Sequence, residues 1–187
     1  MDMEASYSRN ELWESAGVAG LALGFVSIAY LALGQLLSIG TPSVALSVLI
    51  SILSFILWAG KLVLCIFLMK YFMKKFCSAH PGCINQDSFK FGVCTALLSA
   101  LIYSAAYFAF VSFISPESIK ESFDAAMSSY SSMMDSNSIA AIESMEENFP
   151  MIAFFSNLIY CFLFGTILSA ILSRNIPSRD PFAEDRQ

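Results

Sequence analysis

The sequence predicts an all-α polytopic membrane protein with four transmembrane helices and a helical extracytoplasmic segment between helices 3 and 4. Hydrophobic residues make up 57% of the 187 positions and charged residues only 13%, which is too apolar for a soluble domain of this size. Apolar stretches long enough to cross a bilayer, which takes about 20 residues, lie at about residues 16–37, 44–69, 91–114 and 150–173. These spans and their loops use up the chain, so we predict a single membrane domain.

The first span carries small residues at helical spacing. Gly17, Gly20, Gly24 and Ser27 follow one another at intervals of 3, 4 and 3 residues. Such a stripe lets another helix approach closely and predicts a packing seam. Self-association through the same glycines is the alternative. The residues before this span include four acids and no basic n-region, so we do not expect a cleavable signal peptide.

The second span is interrupted by one charge, Lys61, whose insertion costs roughly 3 kcal/mol at a helix centre. Its polar stripe runs through Ser47, Ser51, Ser54, Trp58, Lys61 and Cys65. A polar face of this kind normally turns toward protein or a wet cavity. One interpretation is that Lys61 snorkels to the interface near Lys70. The other is that Lys61 meets a phosphate, another chain or a neutral acceptor such as Asn157, because the predicted spans contain no Asp or Glu.

The third and fourth spans also carry small and polar residues on one face. Gly92, Ala96, Ala100 and Ser104 predict a seam on the third span, and Asn157, Cys161, Gly165 and Ser169 predict one on the fourth. We expect Asn157 to form an interhelical contact, worth about 0.6 kcal/mol on average. Tyr103 and Tyr107 share a face of the third span. Their hydroxyls either line a polar cavity or belong to an interfacial aromatic belt.

The distribution of positive charge predicts the orientation. Lys70, Lys74, Lys75 and Lys90 lie between the second and third spans, and we interpret this stretch as a basic cytoplasmic loop. Eight Arg and Lys residues fall on that side of the predicted spans and one, Lys120, on the other. The tails 1–15 and 174–187 are therefore predicted to be cytoplasmic, as expected of a multi-pass protein of the bacterial inner membrane.

Residues 115–149 form the predicted extracytoplasmic segment. Ser115, Pro116 and Glu117 read as an N-cap, a first-turn proline and an early acid, so a helix should begin there. Two apolar stripes, separated near residues 135–138, predict a helical excursion that rests on the membrane or caps the bundle. Docking of a partner is the alternative.

The spans hold no constellation for catalysis. They contain no histidine and no carboxylate, and the chain has no phosphate-binding glycine loop. We therefore predict no enzymatic activity and no cofactor. Cys77, His80 and Cys83 are too few for a closed zinc site, so no metal is predicted, and a cytoplasmic loop should keep these thiols reduced. We expect membrane lipids, and a protein partner or second copy, as partners, and no nucleic acid.

Three stretches resemble a known family. They are Lys-Tyr-Phe-Met-Lys-Lys-Phe at residues 70–76, Ser-Phe-Lys-Phe-Gly at 88–92 and Met-Glu-Glu-Asn-Phe-Pro at 145–150. With the four spans, they resemble a bacterial inner-membrane family of unknown function, number forty-one ninety-nine. Members of that family occur beside a membrane-associated glycosyltransferase that uses lipid-linked sugars. The resemblance therefore implies an accessory role, and it transfers no catalytic residue.

Two hypotheses of function follow. In the first, the protein is an accessory or anchoring subunit that positions a partner enzyme through its basic loop. In the second, it is a small oligomeric carrier of a lipid phosphate or another anion. Lys61 would then hold the charge, with Trp58, Ser54, Ser51 and Asn157 as neighbouring contacts.

Overall fold

The computed structural model describes residues 7–38, 44–80, 82–130, 135–174 and 176, and these residues form helices and short connections without strands. The helices are α1 (Arg9–Ser38), α2 (Val44–Ala79), α3 (Asn85–Ala109), α4 (Pro116–Tyr130) and α5 (Ser136–Ser173), with a π-helical segment, Phe110–Ile114, continuing α3. Over this part of the chain, four stretches are long and apolar enough to cross a membrane: Arg9–Leu37, Val48–Ala79, Asn85–Ile114 and Ser136–Ser173. The predicted all-α polytopic architecture is confirmed.

Helix α3 is the centre of the bundle and packs mainly against α5 and α1. Its approach to α1 is close because the facing α1 residues are glycines. A Cβ placed on Gly20 would lie 2.7 Å from the Cβ of Leu98, and one on Gly24 would lie 2.8 Å from a methyl carbon of Ile102. The predicted seam is confirmed at these positions. The seam does not extend to Gly17, because a Cβ placed there would have no other heavy atom within 4 Å outside its own helix turn.

The opposite face of α3 meets the predicted seam of α5. A Cβ on Gly165 would lie 2.6 Å from the Cβ of Ala96, so neither residue can be larger without a shift. One turn further along, the Ser169 side chain fills the space above Gly92. The Ser169 hydroxyl donates a hydrogen bond to the Phe89 carbonyl oxygen at 3.2 Å. Both predicted small-residue stripes therefore face each other across the α3–α5 contact.

Helix α2 lies at the side of the bundle and makes far fewer contacts than α3. Its buried side chains, including Met69, Met73 and Phe76, lie toward Ala79, whereas apolar residues such as Val48 and Phe55 are exposed. In a bilayer such a surface contacts lipid. The helix continues past the predicted span end at Met69 because Met73 and Phe76 have core positions to fill.

The basic stretch was predicted as a loop, and that prediction is wrong for all four of its lysines. Lys70, Lys74 and Lys75 lie on the exposed surface of α2, and Lys90 lies in the second turn of α3. Charge counts mark where a membrane boundary falls, not where a helix ends. The connection between α2 and α3 is reduced to residues 80–84.

The segment that was predicted to be extracytoplasmic forms α4 and the first turns of α5. Helix α4 begins at Pro116, as predicted. Asp135 caps α5 by accepting a hydrogen bond from the Ser138 N–H at 3.0 Å, and hydrogen bonding from Ser138 lowers the pKa of the exposed Asp135 carboxyl.

The predicted fourth span starts at Pro150, but the helix starts at Ser136 and passes through this proline. The Phe123 ring packs edge-on against Phe149, with 5.6 Å between centroids, and holds α4 on α5.

An aromatic and acidic cluster, here called the end cluster, closes the bundle near Ala79. The Tyr7 hydroxyl donates a hydrogen bond to Asp87 Oδ1 at 2.9 Å. The Tyr7 ring lies edge-on to Phe76, which stacks on Phe91. Burial, followed by the hydrogen bond to Asp87, raises the pKa of Tyr7 to about 12. Tyr7, two positions before α1, is thereby held against α2 and α3.

The thiols of Cys77 and Cys83 were predicted to be reduced, but the structure joins them in a disulfide. Two of the three residues considered for zinc are therefore bonded to each other. His80, the third, follows α2 directly and has its Nδ1 at 2.9 Å from the Phe76 carbonyl oxygen in the last turn of that helix. Among the described residues, no group of three His, Cys, Asp or Glu side chains is arranged to hold a metal ion.

Candidate anion site at Lys61

The four long helices enclose a cavity of about 130 Å³. Helix α2 contributes Lys61 to its wall, α1 contributes Ser27, and α3 contributes Tyr103. The remaining lining residues are mostly apolar or small: Leu23, Trp58, Leu62, Cys65, Met69, Ala96, Ser99, Ala100, Tyr160, Cys161, Phe164, Gly165 and Leu168. The cavity follows from the small residues of the α3–α5 seam, which leave space on the side that α2 only partly covers.

The Lys61 ammonium lies between two aromatic rings. Its Nζ is 4.9 Å from the ring centroid of Tyr30 and 4.9 Å from that of Tyr103. Both distances are within the roughly 6 Å over which a ring quadrupole attracts a cation, an interaction worth about 2 kcal/mol when desolvated. The two tyrosines come from different helices, α1 and α3, so the pair ties α2 to the bundle through Lys61.

The snorkelling interpretation of Lys61 does not describe the observed arrangement. Tyr30 and Tyr103 lie in the halves of α1 and α3 that are remote from the end cluster and Lys70. Because side chains lean toward the N-terminus of their helix, Lys61 on α2 points away from Lys70. The ammonium is therefore directed into the bundle and not toward the end of α2 that carries Lys70.

The predicted contacts of Lys61 separate into two groups. Trp58 lines the cavity beside it and is 47% exposed. Ser54 and Ser51 lie one and two turns from Trp58 toward the N-terminus of α2. Ser54 is partly buried, Ser51 is exposed, and neither lines the cavity. The side chain of Ser47 lies outside the described part of the chain. Only the part of the polar stripe from Trp58 to Cys65 belongs to the site.

Asn157, which was predicted to contact another helix or Lys61, does not line the Lys61 cavity and is hydrogen-bonded within its own helix. Its side-chain amide donates a hydrogen bond to the Ala153 carbonyl oxygen, one turn back in α5, at 2.9 Å. An asparagine can satisfy an amide N–H in this way within its own helix. Cys161, one turn further along α5, is the residue of that stripe that reaches the cavity.

The four basic residues of the predicted loop form no common site with Lys61. Lys70, Lys74 and Lys75 are exposed on α2. Lys90 pairs with Asp87, with 3.5 Å between Nζ and Oδ1. These lysines belong to the end of the bundle near Ala79, at least two helical turns from Lys61 along α2.

Tyr30 is the residue that the sequence analysis missed. It follows Ser27 by three positions, so it continues the buried face of α1, and this spacing is a signal that a search for aromatic partners would have found. The search for a partner of Lys61 considered anions and amide acceptors only. Lining a polar cavity was one of two interpretations of Tyr103, and the residue does line the cavity, although most of the other lining side chains are apolar or small.

The electrostatics of the cavity are those of a single, partly buried positive charge. Its lining includes one cation, Lys61, and no Asp, Glu or His. In the described structure, no carboxylate lies within ion-pair distance of the ammonium, and no hydrogen-bond acceptor is assigned to it. An ammonium has three donors, and aromatic faces attract the charge without replacing conventional acceptors. The arrangement is suited to holding an anion.

Comparison with known proteins places the chain in a family without assigning it a chemistry. No curated protein and no solved structure gives a significant match. One family profile, described as a protein of unknown function, matches residues 18–174, which include Lys61, Tyr30, Tyr103 and most of all four long helices. On this match, the chain belongs to the DUF4199 family.

Proposed function

We propose that this protein is an integral membrane protein, without catalytic chemistry of its own, that binds the anionic headgroup of a lipid at Lys61. The observation that supports the proposal is the ammonium of Lys61 inside a cavity that contains no negative charge. The lining residues also lack a histidine or carboxylate to transfer protons. Binding, and not reaction, is the chemistry that these side chains offer.

The energetics of a partly buried cation favour an anionic ligand. Moving an ammonium out of water costs several kcal/mol even after the protein relaxes. Two cation–π contacts offset this desolvation cost by about 2 kcal/mol each where the ammonium is desolvated. A phosphate or carboxylate oxygen would add charge-assisted hydrogen bonds, which are about twice as strong as neutral ones. The competing possibility is that the two tyrosine rings alone accommodate Lys61.

Native mass spectrometry in mild detergent distinguishes these possibilities. We compare the wild type with Lys61→Met, which keeps an unbranched side chain, one atom shorter, and removes its charge. Lys74→Met is the matched control because Lys74 is an exposed lysine on the same helix. We expect an anionic lipid to be retained by the wild type and the control and lost from Lys61→Met. Equal retention by all three proteins would refute the proposal.

A second candidate function is supported by the exposed lysines of α2. Lys70, Lys74 and Lys75 project from one end of a helix whose neighbouring surface is also exposed. Basic residues at a membrane surface attract anionic lipid at about 1 kcal/mol each, and the same charges suit an acidic protein surface. We infer that this end is where an accessory or anchoring subunit would hold its partner, such as a glycosyltransferase that uses lipid-linked sugars.

Co-purification tests the accessory role. The tagged protein is extracted gently from its native membrane, as wild type and with Lys70, Lys74 and Lys75 all changed to Glu. We expect one protein partner to co-purify with the wild type and to be lost from the triple variant. Lys120→Glu, on the far side of the predicted spans, is the control. Recovery of the wild type alone would count against this function.

The proposed location is the bacterial inner membrane, with both termini in the cytoplasm. The lysines near Ala79 support this orientation, whereas a disulfide at the same end is unusual in a reducing compartment. We give the lysines more weight because positive charge acts on the topology during insertion, whereas a pair of adjacent sulfurs can be oxidised or reduced afterwards. Labelling of single cysteines placed in residues 1–15 and 115–149, from either side of the membrane, tests the orientation.

A further inference from the structure

We propose that the ligand of the Lys61 cavity is an amphiphile whose headgroup carries one negative charge and whose hydrocarbon chain leaves the bundle between α2 and α5. This inference rests on the proposed lipid-binding function and specifies its ligand class. The shared chemistry is that of a long-chain carboxylate or of a lipid phosphodiester. A phosphomonoester with two charges, and a free inorganic anion, are excluded by it.

The charge of the cavity sets the charge of the ligand. Lys61 is the one charged residue among the side chains that line it. An anion with a single charge would form a neutral pair with the ammonium. A doubly charged headgroup would leave one negative charge without a partner in a region of low dielectric constant, where such a charge is costly. The hydroxyls of Ser27, Ser99 and Tyr103 provide polar contacts but no second positive charge.

The size of the cavity limits which part of the ligand can enter. Its volume is about 130 Å³, and a cavity of about 150 Å³ in another protein holds one benzene molecule. The space therefore accommodates a carboxylate or a phosphodiester with the atoms next to it. A hydrocarbon chain of lipid length does not fit, and it must lie outside the four-helix enclosure.

The gap between α2 and α5 provides the route for the chain. These two helices make few contacts with each other, although both pack on α3 or α1. Trp58 on α2 and Tyr160 and Phe164 on α5 line the cavity and are also 47%, 68% and 41% exposed. The cavity thus opens sideways between aromatic side chains. Further along α2, the exposed Phe55 stacks on Trp58 and extends the apolar surface.

A sideways opening between apolar helices selects for an amphiphile. In a membrane, the exposed surfaces of α2 and α5 contact lipid, so a ligand reaches the opening from the hydrocarbon region. A lipid brings its headgroup there attached to a chain that remains in an apolar environment. A free inorganic anion would have to cross the same region without its hydration. The geometry and the charge therefore point to the same class of molecule.

Trp58 provides a direct measurement of this arrangement. The chain contains two tryptophans, so Trp13→Phe leaves Trp58 as the single fluorophore. This protein is reconstituted in neutral phosphatidylcholine vesicles that contain a small fraction of a lipid with a brominated chain. The brominated lipid is a fatty acid, phosphatidylglycerol, phosphatidic acid or, as the neutral control, phosphatidylcholine. Measurements are made at an alkaline pH at which the phosphomonoester of phosphatidic acid carries two charges.

We expect the brominated fatty acid or phosphatidylglycerol, or both, to quench Trp58 more than the neutral control does. Lys61→Met should weaken this preferential binding at least about tenfold, because a buried charge loses its partner. Lys61→Arg should retain it, which separates the loss of charge from a loss of folding. Preference for one of the two singly charged lipids identifies the source of the headgroup and supports the inference.

Three results would overturn the inference, and they are distinguishable. If phosphatidic acid binds best and its binding depends on Lys61, the charge assignment is wrong while the proposed function stands. If inorganic phosphate displaces the brominated lipid as effectively as an unlabelled lipid does, the proposed route between α2 and α5 is wrong. If no lipid shows a dependence on Lys61, the proposed function fails together with the inference.

Discussion

A Cβ atom on Gly165 would lie 2.6 Å from the Cβ of Ala96 and 3.4 Å from its Cα. The second distance shows that the contact involves the α3 backbone and not the end of a flexible side chain. Because α3 and α5 form the largest helix–helix contact of the bundle, this pair limits how closely the two helices pack. It also leaves the space beside Gly165 that becomes part of the cavity.

Gly165→Ala should therefore destabilise the protein by about 1–3 kcal/mol, as overpacking does in other cores. Gly60→Ala is the matched control because Gly60 also lies within a long apolar helix but has nothing within 4 Å of an added Cβ. The better helix propensity of alanine should make that control neutral or slightly stabilising. Unfolding in mixed detergent micelles measures both free energies. If Gly165→Ala left the free energy of unfolding unchanged, α3 and α5 could separate freely to make room for the added methyl group.

The two tyrosine rings around Lys61 provide a second prediction. Tyr103→Phe keeps a ring face over the ammonium and should change the free energy of unfolding little. Tyr103→Leu removes the ring and should lower that energy by about 1–2 kcal/mol beyond any packing loss. The same change in a Lys61→Met background isolates the interaction, because the cation is then absent. Equal effects of Tyr103→Leu in both backgrounds would contradict the cation–π contact.

The small-residue seams were predictable because helical spacing is read directly from the sequence. Gly20, Gly24, Ala96 and Gly165 all lie in close helix contacts, as their spacing indicates. Periodicity identifies a face but not the helix that covers it. The choice of α3 as the centre, with α2 at the side, depends on how four seams match in three dimensions. That information is not contained in any one of them.

Other predictions failed where a local signal was outweighed by packing. Pro150 and the lysines at positions 70–75 both suggested an end of a helix. The apolar stripe continues in phase on both sides of Pro150, so the helix persists at the loss of one backbone hydrogen bond. Met73 and Phe76 similarly carry α2 past its lysines. For Lys61, the partners were uncharged rings, which no count of charges can reveal.

The hydrogen bond from Tyr7 to Asp87 predicts a dependence of stability on alkaline pH. Burial and this bond raise the pKa of Tyr7 from 10.0 in the unfolded chain to about 12 in the folded protein. The unfolded state therefore loses its proton first as the pH rises. The contribution of Tyr7 is fully present below pH 10.0 and is lost as the pH rises toward about 12.

Difference absorbance of ionised tyrosine, compared between the wild type and Tyr7→Phe, measures this titration. We expect the difference between the two proteins to develop near pH 12. Asp87→Asn should move the Tyr7 titration to lower pH, because a carboxylate no longer opposes ionisation of the Tyr7 hydroxyl. A Tyr7 titration close to the ordinary value of about 10 would mean that the N-terminal segment is not held against α3.

The disulfide between Cys77 and Cys83 gives the last prediction. Purification without reductant should leave three free thiols, those of Cys65, Cys94 and Cys161, and five after denaturation and reduction. The loop it closes spans six residues, so replacing both cysteines with Ala should lower stability by about 2 kcal/mol, less than the ~3 kcal/mol for a loop of 15 residues. Thiol counting by alkylation and mass measurement checks the pairing, and five free thiols before reduction would contradict it.

The same pair of cysteines tests the proposed orientation. If the end cluster faces the cytoplasm, as the lysines at positions 70–75 suggest, glutathione and thioredoxin should keep Cys77 and Cys83 reduced in the living cell. When the thiols of living cells are trapped by rapid acid quenching and then alkylated, both cysteines should be modified. The disulfide should form only after extraction in air. A disulfide that is already present in the trapped cells would place this end in an oxidising compartment. That result would reverse the topology, and with it the side of the membrane on which the exposed lysines could meet a partner.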